Sequence, residues 1–159
     1  MTTYQVRTFR SDEHLARDDQ LAFRLAELAA SAPRPEDDVL DMVINRVIDN
    51  AAVAVASIAR APVVAARDMA MRHPHAPGAT VVGSRSARVS PEWAAWANGV
   101  AVRELDFHDT FLAAEYAHPG DNIPAILALA QHASSRGLTG ADVARAIAVA
   151  YEVQIDLCR

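Results

Sequence analysis

Residues 106–122 read DFHDTFLAAEYAHPGDN and concentrate the chemistry of this chain. Asp106, His108, Asp109, Thr110, Glu115, His118 and Asp121 all fall inside seventeen positions. An imidazole gives and takes protons near neutral pH, and a carboxylate beside it sets its tautomer and holds it charged. The combination points to acid–base work on a small acid. His118 stands directly before Pro119-Gly120, where the backbone direction is constrained, which suits a side chain that must keep its aim. The acids alternate with Leu105, Phe107, Phe111, Leu112 and Tyr116. That alternation predicts a partly buried segment, and buried carboxylates need partners or shifted proton affinities, which gather at functional sites.

Other chemistries fit less well. A plain solvated loop is the bland alternative. Asp106, His108, Asp109 and His118 are all ligand types for a divalent metal, but their spacing matches no standard ligand motif, and no metal site is expected. A hydroxyl-nucleophile triad lacks its elbow: no GxSxG is present, and Thr110 is the hydroxyl at hand. Gly78 and Gly83 do not make a phosphate-cradling GxGxxG.

The elements that must position this segment read as helices. Leu21, Leu25 and Leu28 continue a helical period that starts near Leu15 and stops before the prolines of SAPRPEDD. Pro35-Glu36-Asp37-Asp38 opens a second helix running to about Ser57, with acids at the positive end of the dipole. Its polar positions, Asp38, Asp41, Asn45 and Asp49, form one narrow stripe, which predicts a mostly buried helix. A third helix is expected over Val63 to Arg72. The Pro- and Gly-containing stretch from His73 to Ser90 reads as a loop with at most one short strand or hairpin. Ser90-Pro91 opens the next helix, with Trp93, Trp96 and Val100 on one side. Helical pattern resumes near Asp121 and breaks at Gly137. Thr139 and Asp142 then form a capping box for a last helix from Ala141 to at least Leu157. The fold class is all-α, a bundle of about six helices with a short irregular, hairpin-like insertion near residues 79–90. Residues 1–14 form a polar N-terminal segment.

Composition excludes several classes. The chain has 159 residues, is 52% hydrophobic and carries a net charge of −5, which suits one globular domain and disfavours nucleic-acid or anionic-membrane partners. All fifteen basic residues are arginine, so no lysine Schiff base can form within this chain. Cys158 is the lone cysteine, which rules out a disulfide framework or a cysteine-held cluster from this chain alone and fits a reducing cytosol. The polar start is not expected to be a secretory signal, and the longest apolar run, residues 51–59, is too short to span a bilayer.

Read whole, LDFHDTFLAAEYAHPGDNIPAILALA resembles the signature of the MmgE/PrpD family, and within it the branch that dehydrates 2-methylcitrate. The features are DF-x-DT, LAAE followed by an aromatic, and HP-x-DN running into a small-residue helix. VLDMVINRVIDNAAVAVA, ATVVGS, WAAWANGVAVRELDF and AIAVAYEVQIDL extend the resemblance over most of the chain after about residue 15. It implies that residues 15–159 are the N-terminal portion of a larger helical domain, with the rest of that domain and a smaller α/β domain absent. It implies a cofactor-free hydro-lyase acting on a small tricarboxylate, with cis-aconitate decarboxylation as the alternative and a non-catalytic helical module as a further one. No nucleic acid or membrane is implicated; a cytoplasmic homodimer is expected for the full-length protein. Residue by residue, Asp106 and His118 match catalytic positions and Thr110 a substrate-binding one. Asp109 lies inside the motif and is grouped with substrate binding, although a bracing role fits it as well. His108 falls where relatives vary and is expected to be incidental. Asp121 is expected to act as a helix-end acid.

Overall fold

The computed structural model describes residues 7–84 and 86–159. Contacts divide the chain into two units, Met1–Ser31 and Ala32–Arg159. In the first, a 3-10 turn at Arg17–Asp19 leads into helix α1 (Leu21–Ser31). The helix thus starts later than the periodicity near Leu15 suggests. Arg24 reaches back to Asp19 at 3.1 Å and holds the turn against the first coil of the helix.

The second unit carries the remaining elements. Helix α2 (Asp37–Ala56) begins with Asp37 and Asp38 in its first turn, where the dipole favours them. Helix α3 (Ala61–Ala70) has its proline in the first turn, the position where a missing N–H costs nothing. Strands β1 (Pro74–Thr80) and β2 (Arg88–Val89) pair antiparallel, with Ala79 opposite Val89 and a bulge toward Pro74. This is the hairpin-like insertion that the Pro and Gly pattern predicts. Gly78 is required there, because a Cβ would strike the carbonyl oxygens of His75 and Val89.

Helix α4 (Pro91–Arg103) opens at Ser90 and Pro91. A second, smaller hairpin follows, β3 (Phe111–Leu112) with β4 (Tyr116–Ala117), Leu112 opposite Tyr116. Helix α5 (Asn122–His132) ends in a 3-10 turn at Ser134–Arg136, and Gly137 exits with φ of 76°. Helix α6 (Gly140–Cys158) has the expected capping box. The Thr139 hydroxyl accepts from the Asp142 N–H at 3.3 Å, and the Asp142 carboxylate accepts from the Thr139 N–H at 2.9 Å. The architecture is an all-α bundle, with α1 to α6 and two small sheets among the described residues.

Small side chains set the close spacing of the bundle. Ala66, Ala70, Ala94, Ala97 and Ala128 bring α3, α4 and α5 together with the β1 hairpin. Val43, Ile123, Ala144 and Ile147 join α2, α5 and α6. Few of these residues are large, so polar ties supplement the packing. The buried Ser57 hydroxyl donates to the Ala101 carbonyl at 2.6 Å and fixes α2 against α4. Asn98 accepts from the Val82 N–H and donates to the Thr80 carbonyl, pinning the chain leaving β1 to α4.

One expectation fails. Helix α2 is not mostly buried: Val43, Asn50, Val53 and Ala54 face the interior, while Met42, Ile44, Ile48 and Val55 are exposed. A helix apolar on nearly every side needs neighbours on every side, and within the second unit the buried positions of α2 lie on one side of it. Among the described residues, no single helix is long and apolar enough to cross a membrane, and α2 and α3 taken together reach that length and apolarity across a bend of 102°.

The capping box makes a stability prediction. Thr139→Ala removes the side-chain acceptor at the start of α6 and should lower unfolding stability by about 1 kcal/mol. Urea denaturation checks it, and a change below the error of the measurement would show that the cap is energetically idle.

Candidate active site

The segment after α4 is folded over by its own turns. Asp106 donates its N–H to the Arg103 carbonyl at 3.0 Å and takes φ of 54°. A left-handed conformation costs a non-glycine residue roughly 1–2 kcal/mol, and Asp is among the few that adopt it. This stops α4 and turns the chain back. The Asp106 carboxylate pairs with Arg103 at 2.9 Å.

Asp109 and His118 then lock together. His118 Nδ1 lies 2.9 Å from the Asp109 carbonyl oxygen. A carbonyl can only accept, so Nδ1 carries the proton. In the neutral ring, Nε2 is therefore the nitrogen left to take a proton. Thr110 Oγ1 sits 3.2 Å from the same Nδ1. It can only accept from that N–H, which leaves its own O–H free to donate elsewhere. The Asp109 carboxylate accepts from the Gly120 N–H at 3.0 Å. Asp109 thus holds both ends of the His-Pro-Gly turn, one with its backbone and one with its side chain.

Gly120 is there because nothing larger fits. A Cβ at this position would collide with the Asp109 carboxylate and with Asn50 Nδ2. Asn50 comes from α2 and is buried, with its Oδ1 lacking a hydrogen-bond partner. Tyr151 of α6 brings its hydroxyl toward Asp109 without making a well-formed hydrogen bond. Burial first, and the Asp109 carboxylate second, push the Tyr151 phenol well above its ordinary value of 10.0. Asn122 anchors the far side of the turn, donating to the Pro119 carbonyl at 3.1 Å and to Gln154 of α6. The end of α6 also meets the second hairpin, through Glu115 N–H to the Cys158 carbonyl at 3.0 Å.

Burial in this segment runs opposite to the expected order. Phe107, Leu112 and Tyr116 are 78%, 77% and 69% exposed, while the His108 side chain is fully buried. His108 Nε2 lies 2.8 Å from Asp121 Oδ1, yet neither ring nitrogen makes a well-formed hydrogen bond. The carboxylate approaches off the ring N–H line. Asp121 stands, as expected, at the N-terminal end of α5; its carboxylate makes no side-chain cap there and faces His108.

The site residues therefore do meet. Asp106, His108 and His118 each bring one carboxylate oxygen or ring nitrogen within 4.8 Å of the others. The donor types are those a divalent metal takes. Asp106 is also engaged by Arg103, and His118 spends Nδ1 on a carbonyl, which leaves its Nε2 facing the cluster. Asp109 and Thr110 flank it. Sequence patterning missed Asn50 and Tyr151. Asn50, like Arg46, is a polar residue of α2 outside the Asp38-Asp41-Asn45-Asp49 stripe, and that position was its signal. Tyr151 carried no local signal.

Residues 20–159 match the family model of the MmgE/PrpD N-terminal domain, and the chain belongs to that family. It is 38% identical over 88 residues to a probable 2-methylcitrate dehydratase of Saccharomyces cerevisiae, covering 49% of this chain and 17% of the yeast protein. It is 40% identical over 84 residues to the 2-methylcitrate dehydratases of Cupriavidus necator and Salmonella typhimurium, covering 48% of this chain and 17% of each relative. The matched part of the chain thus spans only 17% of the length of these relatives.

Two predictions come from this geometry. Gly120→Ala should destabilise the chain by roughly 1–3 kcal/mol, because the new methyl meets Asp109 and Asn50. Gly99→Ala on α4, where a Cβ meets nothing within 4 Å, should instead stabilise by about 0.5–1 kcal/mol. Thermal melts of the pair decide, and equal effects would mean that the turn is not packed as described. The second concerns Tyr151. Its phenol loses a proton near 10.0 in the unfolded chain and holds it higher in the folded one. Above that pH the unfolded state binds fewer protons, so its share of stability, complete below pH 10, is lost as pH rises further. Tyr151→Phe should flatten the alkaline fall in urea-unfolding stability; an unchanged slope would contradict the buried phenol.

Proposed function

We propose that this chain forms one wall of the active site of a cofactor-independent hydro-lyase that converts 2-methylcitrate to 2-methylaconitate, a step of propionate breakdown. The observation that carries the proposal is His118. Its Nδ1 is committed to the Asp109 carbonyl, so Nε2 is the nitrogen that exchanges protons, with the Asp106 carboxylate in the same cluster. The names of the relatives support the substrate and the reaction.

The reaction removes a proton next to a carboxylate and expels a tertiary hydroxyl as water. Negative charge builds on the neighbouring carboxylate as the C–H bond breaks, so the site needs proton transfer and cationic support. His118 moves a proton at the substrate. Asp106, in the same cluster, tunes the imidazole by its negative charge. Thr110, whose O–H is not consumed by His118, donates to a substrate oxygen. Asp109, grouped with Thr110 by its motif, acts here mainly as the brace that keeps His118 aimed.

The cationic support does not come from this segment. Residues 104–121 carry Glu104, Asp106, Asp109, Glu115 and Asp121, and the adjacent Arg103 is already paired with Asp106. A tricarboxylate meeting these groups alone is repelled. The positive groups belong to the much longer full-length protein, which acts in the cytoplasm as a homodimer. These 159 residues alone should bind 2-methylcitrate poorly and not turn it over.

Full-length protein supplied with 2-methylcitrate in the presence of a chelator should form the unsaturated product at an undiminished rate. Loss of turnover under chelation would overturn cofactor independence. Turnover of cis-aconitate with release of carbon dioxide, and none of 2-methylcitrate, would overturn the dehydration. His118→Ala should lower kcat by about 10²- to 10⁴-fold with the fold retained, as measured by circular dichroism. Activity within a few-fold of the parent would remove His118 from the mechanism.

A further inference from the structure

We propose that His108 is a positioning residue for His118, a buried plate that fixes the plane of the imidazole used in the proposed dehydration. The inference rests on that role for His118 and goes beyond it, because the family signature gives His108 no part. Its side chain is completely buried, which is unusual for a histidine with no well-formed hydrogen bond on either ring nitrogen. A residue placed only to fill that space would do better as an aliphatic of the same volume, since burying unpaired ring nitrogens costs stability. The environment explains why an imidazole is there. The rings of His108 and His118 lie 5.0 Å apart at 36°, and Asp121 Oδ1 is 2.8 Å from His108 Nε2.

Those two contacts reach both ends of one turn. Asp121 donates its N–H to the His118 carbonyl at 3.0 Å, so His118 and Asp121 close the turn between them. His108 touches its first residue with its ring and its last with Nε2. The next residue, Asp109, grips the same turn through His118 Nδ1 and the Gly120 N–H. The division of labour follows from geometry. A single hydrogen bond at Nδ1 fixes a point, but a ring free to swing about that point breaks and remakes the bond, so it holds one tautomer only while the plane of the ring is held as well. A flat neighbour packed against the ring fixes its plane. Together they define where Nε2 points, which is what proton transfer to a bound substrate requires.

The test uses a signature that a merely structural residue would leave alone. Imidazole nitrogen NMR of this chain should show His118 in the Nδ1–H form. His108→Ala should reduce that tautomer preference roughly tenfold, and in the full-length protein it should lower kcat about 10- to 100-fold while KM changes by less than about threefold. His108→Gln, whose side-chain amide can reach Asp121 and present a flat face, should restore most of both. A folded His108→Ala chain that keeps the parent tautomer preference would overturn the proposal, as would a folded His108→Gln chain that loses it equally. Should the alanine variant fail to fold, His108→Leu takes its place. Loss in Leu with retention in Gln supports the proposal, and retention in both overturns it. If the parent full-length protein fails to dehydrate 2-methylcitrate while the NMR pattern holds, the proposed reaction falls and the positioning role stands.

Discussion

Everything in the site hangs on Asp109. Its carbonyl oxygen receives the His118 Nδ1 proton, and its carboxylate receives the Gly120 N–H. Those bonds turn a flexible His-Pro-Gly sequence into a fixed corner. They also decide which imidazole nitrogen is free, which is a chemical choice and not only a structural one. Other residues are arranged to let Asp109 work. Gly120 lacks the Cβ that would displace the carboxylate. Asn50 closes the corner from α2, and Tyr151 comes in from α6 with a phenol kept neutral by burial. Two helices distant in sequence, α2 and α6, thus converge on one acid.

The surrounding bundle is built for close approach more than for a large core. Alanines dominate the contacts among α3, α4 and α5, so backbones come near one another and each contact buries little area. Fixed polar ties then matter more than they would in a leucine-rich core. Ser57 to Ala101, Asn98 to the chain after β1, and Asn122 to Gln154 each join elements that packing alone would hold loosely. The site lies where α4 ends and α5 begins. Motion of either helix would move Asp106 or His118, so the small-residue contacts hold the geometry of the cluster.

Helix number, the β1–β2 insertion and the capping box at Thr139 were legible in the sequence, because each rests on local periodicity, Pro and Gly placement, or hydrogen bonds within four residues. The grouping of Asp106, Thr110 and His118 was legible through a motif contiguous in the chain. What was hidden depends on contacts between distant segments. Bracing was one of two roles open to Asp109, and its partner Gly120 becomes visible only when the turn closes. Tyr151 lies far along the chain and looks like any core aromatic. His108 was discounted because the resemblance gives its position no part, which says nothing about burial in this chain. The second hairpin, Phe111–Leu112 with Tyr116–Ala117, was missed because its strands are too short to show alternation.

The reversal of burial between His108 and its apolar neighbours also bears on function. Stability alone would put Phe107, Leu112 and Tyr116 inside and the imidazole out, for burying the aromatics would gain more than burying an unpaired ring nitrogen. The chain does the opposite over a few consecutive residues. Such a local conflict between propensity and placement is expected where a segment must present particular groups to something outside itself. Here it keeps His108 beside His118 and Asp121 while apolar side chains remain at the surface next to a cluster of acids. The same acids repel the tricarboxylate that the proposed chemistry requires. On the function proposed above, this apolar surface beside acids that the chain pairs within itself is half of an interface, the half that takes hydrophobic cover and cations from other parts of the protein.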